Sequence, residues 1–325
     1  MATRANALRL VAVLMTCVLT ASCSLFGSSP DGANADLERN LLRIGVAQVV
    51  DVAPLRIALT EKLFEKHGLQ VNLVAQNNDS EAIKQLDTTL DITWASHVSF
   101  FREVTLGAQL QLQGEAYQAG PNSMALVTGP TSDYDDPGKR PTPSIAVNNQ
   151  NDIGYLTTRA VLDTAAVEKG KIKFRDMPFG EMEKALQAGE VDAAFMIEPF
   201  ITKAQRNIGA KILTDTARGP TLDFPMSGYA SSKKFAETNP KTLKAFRDVL
   251  REAQQRAQAN KLAVQDSLTS YADVDQSTAA LVSVGTFPLS LNPIRLQRVA
   301  DMMDTEDILS GRLDVQGLLP PGTTS

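Results

Sequence analysis

The sequence predicts an α/β protein of two lobes around a ligand cleft. Three observations carry that expectation. The 325 residues exceed the ~100–200 of one typical domain, short apolar strands alternate with amphipathic helices, and one block of that alternation recurs about 100 residues further on. With 43% hydrophobic and 21% charged residues, the composition suits an ordinary globular body able to bury a sizeable core.

The first residues stand apart. Arg4 and Arg9 precede an apolar run from Leu10 to Leu19, and Thr20, Ala21 and Ser22 lead into Cys23, which is the layout of a secretory signal over residues 1–22. The run is about half of the ~20 residues a spanning helix needs, and no later stretch is longer, so no transmembrane helix is expected. Cys17 leaves with the signal, and Cys23 is then unpaired in an exported chain, which calls for an explanation. Ser24 to Ala35 is rich in Ser, Gly, Pro, Ala and Asn without hydrophobic period, so residues 23–40 read as a flexible tether. Removing two arginines with the signal leaves 30 basic against 37 acidic residues, a net charge of −7. That balance argues against nucleic acid, which needs a basic footprint.

The body opens with an apolar strand from Leu42 to Gln48 and a loop through Asp51 and Pro54. Leu55, Leu59 and Leu63 then recur every four residues as a helix, and Gly68 stands where a left-handed C-terminal cap belongs. Val71 to Ala75 returns as a strand. Asp79 or Ser80 caps a helix carrying Ile83 and Leu86, and Asp91 to Trp94 is another strand. This alternation is the pattern of parallel β-α-β units with helices over a central sheet.

The order then repeats. Ile44-Gly45-Val46 is echoed by Ile145-Ala146-Val147, Val71 to Leu73 by Ile172 to Phe174, and Asp91 with Trp94 by Asp192 with Phe195. Ligands of open parallel sheets bind beyond the carboxyl ends of the strands, so two such edges facing each other make a cleft. In the last third, a strand from Met226 to Ser231 precedes a long helix from Pro240 to Asn260 and shorter ones at 264–271, 277–284 and 293–304. Pro240 fits a first helical turn. Helices without strands form no third sheet and are expected to pack back on the first lobe. The expected boundaries are 41–123 with 228–320 for lobe 1 and 124–227 for lobe 2.

Catalytic constellations are scarce. Beyond the signal the chain holds only His67, His97 and Cys23 as candidates, with no nucleophile elbow, phosphate loop or paired-histidine motif, so neither catalytic residue, metal nor cofactor is expected. Binding chemistry is better represented, in loops at strand ends that run into helices: Gln48 with Val50 and Asp51, Trp94 with Ala95 and Ser96, and Asn149 with Asn151 and Tyr155. Free amides there hold an acceptor-rich group, and Asn, Gln and Ser add adjustable hydrogen bonds; plain capping explains the Asn-rich loop equally. Glu198 follows the apolar strand ending at Ile197, placed either to accept from a ligand nitrogen or to favour the next helix's N-terminus. Trp94, the single tryptophan, either stacks on a ligand or fills the core.

At these loops the chain resembles the NMT1/SsuA/TauA group of importer binding proteins, which handle nitrate, sulfonates, taurine and thiamine-pyrimidine precursors. The matching residues are Arg43-Ile44-Gly45 with the Gln48 loop, Leu63 to Leu69, Ala185-Leu186-Gln187-Ala188-Gly189-Glu190-Val191-Asp192-Ala193-Ala194, and Glu198-Pro199-Phe200. The likeness implies a type II periplasmic-binding fold and binding positions at Gln48 to Asp51, Trp94 to Ser96, Asn148 to Tyr155 and Glu198. It also implies a monomer that passes a small-molecule ligand to an ABC permease and its cytoplasmic ATPase. Leu19-Thr20-Ala21-Ser22-Cys23 similarly resembles the bacterial lipobox, which implies a lipid on Cys23 and a place at the outer face of the cytoplasmic membrane. Trp94-Ala95-Ser96-His97 and Met196-Ile197 depart from the group's pattern, so nitrate or taurine specificity is not carried over. Asp51 and Glu198 on facing lobes favour a nitrogen-donor ligand over a bare anion. A lipid-anchored sensor and a small-molecule enzyme on the same fold are the alternatives.

Overall fold

The apolar runs that read as strands pair into two separate five-stranded sheets in the computed structural model, which describes residues 37–322. The signal, Cys23 and most of the tether fall outside the described residues.

The strands are β1 (Leu41–Val46), β2 (Gln70–Ala75), β3 (Ile92–Ser96), β4 (Leu110–Gln118), β5 (Met124–Thr128), β6 (Ser144–Val147), β7 (Lys173–Asp176), β8 (Ala193–Ile197), β9 (Lys211–Asp215) and β10 (Pro225–Ser232). Between them lie α1 (Ala53–Thr60), α2 (Leu63–Lys66), α3 (Asp79–Lys84), α4 (His97–Thr105), α5 (Ile153–Thr164), α6 (Phe179–Ala188) and α7 (Phe200–Ile208). After β10 come α8 (Lys233–Thr238), α9 (Pro240–Ala259), α10 (Lys261–Leu268), α11 (Gln276–Ala279) and α12 (Pro293–Thr305). Gly68 closes the α2 turn at φ +73°, a conformation that costs a glycine nothing.

The sheet orders are β2-β1-β3-β10-β4 and β7-β6-β8-β5-β9. β1 runs parallel to β2 and β3, while β10 lies antiparallel to β3 and β4. The second sheet repeats this arrangement: β6 is parallel to β7 and β8, and β5 is antiparallel to β8 and β9. The repeat reaches single residues. Asp91 accepts from the Arg43 amide at 2.8 Å, and Asp192 accepts from the Ser144 amide at 2.7 Å. Arg39 and Arg140, which hold the same spacing, pair with these two carboxylates.

The helices after β10 pack mainly on the first sheet's side. Leu243, Phe246, Val249 and Ala253 are buried along α9, and the Phe246 ring stacks on Phe64 at 6.4 Å between centroids. The same segment also grips the second lobe, through Ser283 N to Glu198 at 3.0 Å and Arg159 to Glu306 at 3.2 Å. The helix expected over 277–284 stops at Ala279. Its continuation instead pairs Thr286 with Gln118, and Gly285 lies so close to β4 that an added Cβ would sit 2.4 Å from the Gln118 carbonyl oxygen. No helix among the described residues is long and apolar enough to cross a membrane.

Candidate functional site

The carboxyl ends of all six parallel strands open onto one cavity of about 480 Å³, within the size range of small-molecule sites. β1 leads to Gln48 and Asp51, β2 to Gln76, Asn78 and Asp79, and β3 supplies Trp94 and Ser96. From the second sheet, β6 leads to Asn148, Asn149 and Asp152, β7 to Asp176 and Phe179, and β8 to Ile197 and Phe200, while β10 adds Ser227. The cavity therefore lies between the lobes.

Helix N-termini crowd the same place, and the chain's own side chains already occupy some of their amides. Asn78 caps α3 by accepting from Glu81 N at 3.0 Å, and Ser96 caps α4 by accepting from Ser99 N at 2.9 Å. Asp79 accepts from Ser96 N at 2.9 Å and Asp176 from Gln150 N at 2.9 Å. Part of the free amides expected at these loops is thus filled, where a carboxylate, hydroxyl or amide oxygen lies within reach of a neighbouring N–H, whereas the N-termini of α1, α5 and α6 carry no side-chain cap.

Ser96 Oγ donates across the cleft to Asp152 Oδ1, while Asn148 Nδ2 donates to Asp152 Oδ2 at 2.8 Å. Asp51 holds the position in lobe 1 that Asp152 holds in lobe 2, 101 residues apart, and it too accepts from a serine, Ser227. Asp51 is buried, which pushes its carboxyl up to about 7; burial and the charge of Asp152 raise Asp79 as well. Ser96→Ala removes a helix cap and the cross-cleft bond together. It is expected to cost about 1–2 kcal/mol, measured by urea denaturation.

Of the residues singled out from sequence, Gln48, Asp51, Trp94, Ser96 and Asn149 line the cavity. Val50, Ala95, Asn151, Tyr155 and Glu198 do not. The Val50 amide donates to the Glu198 carbonyl at 3.4 Å, and Ala95 lies on the face of β3 opposite Trp94 and Ser96, as strand alternation requires. Asn151 donates its amide to Asn149 Oδ1 at 2.8 Å, and Tyr155 packs on Phe174 at 4.7 Å. Glu198 is buried, pushed up to about 7 by that burial. It accepts from Thr202 N at 3.2 Å, Thr202 Oγ1 at 2.8 Å and Ser283 N at 3.0 Å, so it ties lobe 2 to the C-terminal segment. His97 is fully buried beside Phe101, at 5.8 Å. Among the described residues no cluster of His, Cys, Asp and Glu has the makings of a metal site.

Sequence reasoning passed over Gln76, Asp79, Asp176, Phe179, Phe200 and Ser227. The strand-end rule applied to β2 and β7 points to the first four; Ser227 sits on an antiparallel strand, where that rule is silent.

With this geometry in view, comparison with known proteins is decisive for the family: the model of the NMT1-like family matches residues 35–269. The chain belongs to the NMT1-like family. No curated protein matches it. Its fold is shared with the periplasmic aliphatic sulphonate binding protein SsuA from Escherichia coli, at 17% identity and a TM-score of 0.71 over 86% of this chain and 97% of that one. The alkanesulfonate-binding protein SsuA from Xanthomonas axonopodis pv. citri bound to MOPS matches at 16% identity and 0.74, over 87% and 98%. The periplasmic nitrate-binding protein NrtA from Synechocystis matches at 15% and 0.71, over 87% and 85%. At these identities the likeness is one of fold, and this NMT1-like chain has the two-lobed periplasmic-binding-protein fold.

Proposed function

We propose that this chain is the extracytoplasmic solute-binding component of an ABC importer, anchored by a lipid on Cys23 at the outer face of the cytoplasmic membrane. It captures a small organic molecule between its lobes and delivers it, as a monomer, to the permease. The observation that carries this reading is an interlobe cavity walled by every parallel strand end of both sheets. Contacts from both walls favour the closed form only insofar as the ligand binds that form more tightly than the open one. The wall offers hydrogen-bonding side chains and aromatic rings, the equipment of reversible capture.

A ligand at ~100-fold excess over its Kd stabilises the folded state by roughly 2.7 kcal/mol, so a thermal-shift screen of small sulfonates, acids, amines and pyrimidines is expected to give at least one clear hit. Recovery of that compound unchanged by mass spectrometry supports capture, and its conversion would instead make the protein an enzyme. Cys23→Ala is expected to abolish incorporation of labelled fatty acid and release the chain from membranes; persistent labelling would place the lipid elsewhere.

A further inference from the structure

The cleft's charge narrows what it holds. Its lining includes four aspartates, Asp51, Asp79, Asp152 and Asp176, and no lysine or arginine. Lys184 and Lys203 instead line a neighbouring hollow of about 410 Å³ that shares Phe179, Gly180 and Phe200 with the cleft. Lys203 is also paired with Asp273 at 3.3 Å.

An external anion therefore meets like charge and finds neither a guanidinium nor an ammonium to pair with. Several of the helix-terminal and loop amides are already taken by the chain's own carboxylates. Ser96 N and Gln150 N are taken by Asp79 and Asp176, and Thr202 N, at the start of α7, is taken by Glu198.

Buried acceptors on the wall stand unfilled. Asp51 is only 2% exposed, and while Oδ2 accepts from Ser227, its Oδ1 has no hydrogen-bond partner. On the facing wall Asn148 Oδ1 is also without one. The orientation of that amide is fixed because its Nδ2 must face the Asp152 carboxylate. The one unpartnered donor among these buried lining atoms is Trp94 Nε1. Two buried acceptors left open on opposite walls each carry the cost of an unmade hydrogen bond until an N–H or O–H fills it. The rings of Trp94, Phe179 and Phe200 complete the lining, and aromatic faces attract cations.

We infer that the solute is an organic cation carrying at least two N–H donors, such as an alkylammonium or amidinium compound, whose charged nitrogen lies between Asp51 of lobe 1 and Asn148 and Asp152 of lobe 2. The inference rests on the solute-binding reading and specifies its ligand. It sets this chain apart from the sulfonate- and nitrate-binding proteins that share its fold. The raised Asp51 carboxyl fits the same assignment, since a bound ammonium group supplies the partner that makes ionisation there favourable.

The test is a titration of the full chain, expressed with its own export signal, against a library of small solutes sorted by charge into cations, neutral molecules, zwitterions and anions, read by thermal shift. The expected result is that the tightest binders are cations without an anionic group, at least tenfold tighter than their neutral analogues and weakened by added salt. Asp51→Asn, which keeps the shape and the Ser227 contact, is expected to weaken them at least tenfold, and Asn148→Ala gives a second reading should the first variant fold poorly. A sulfonate, nitrate, carboxylate or zwitterion as the tightest binder overturns the cation assignment and leaves solute capture standing. Cation binding that is unchanged in both variants overturns the placement of the charged nitrogen. No binder of any class counts against solute capture itself, and the assignment falls with it.

Discussion

Replacing Asp91 by alanine is expected to destabilise the protein by about 3 kcal/mol or more, against about 1–2 kcal/mol for the same change at Asp192. The two residues do the same work in the two lobes. Each carboxylate stands just before a parallel strand, β3 or β8, accepts from an amide in the first half of the neighbouring parallel strand, β1 or β6, and pairs with an arginine lying 52 residues before it. They differ in burial and in load. Asp91 is 1% exposed and takes Arg43 Nε and Nη2 at 3.1 and 2.8 Å, Arg39 Nη1 at 3.0 Å and the Arg43 amide. The Asp192 side chain is 26% exposed and is shared between Arg140 and the Ser144 amide, so water replaces part of what it loses. Urea denaturation of both variants checks the ratio, and equal losses would contradict the burial argument.

Stability of the unliganded protein is expected to fall as pH rises from about 5.5 to 8. Burial lifts Asp51 and Glu198 to about 7, above the ordinary carboxyl values near 4 that the unfolded chain retains. Between those values the native state holds protons that the unfolded state has released, and stability then declines with pH. Above pH 8 this contribution is flat. His97 works in the opposite direction: burial lowers it to about 3, so the unfolded state gains a proton below about 6.5 that the native state refuses. Asp79, raised as well by burial and by the charge of Asp152, joins Asp51 and Glu198, so three carboxyls stand against one imidazole and the decline with rising pH prevails, on the order of 3–6 kcal/mol between pH 5.5 and 8. Melting temperatures across that range test the sign, and Asp51→Asn is expected to remove about a third of the slope. A melting temperature that climbs towards pH 8 would contradict the burial of these carboxyls.

The parallel strands were legible because each is a short apolar run bounded by polar loops, and the 101-residue spacing of Asp91 and Asp192 marks equivalent points in the two sheets. The closing strands were not. β4 buries Gln113 and Glu115 at 1% exposure, satisfied by Arg247 at 2.6 Å and Arg295 at 2.9 Å, so its pattern does not read as a core strand. β5 is an apolar run too short to tell from a helical segment, and its antiparallel place beside β8 depends on long-range pairing. Half of the candidate site was legible for the same reason as the strands, since loops at strand ends carry it. Glu198 shows the limit of residue type as a signal. Its bond to Thr202, four residues on, is local, whereas its bond to Ser283 joins residues 85 apart, and that second partner turns a cleft-edge carboxylate into an internal strut.

The central claim, that solute binds between the lobes, is tested most directly by the fluorescence of Trp94. It is the single tryptophan of the chain and its ring lines the cleft, so its emission reports on that cavity alone. The account predicts that every compound raising the melting temperature also shifts or quenches this emission, saturably, with one molecule bound per chain. A compound that stabilises the protein and leaves the Trp94 emission unchanged through saturation binds elsewhere, and would contradict it.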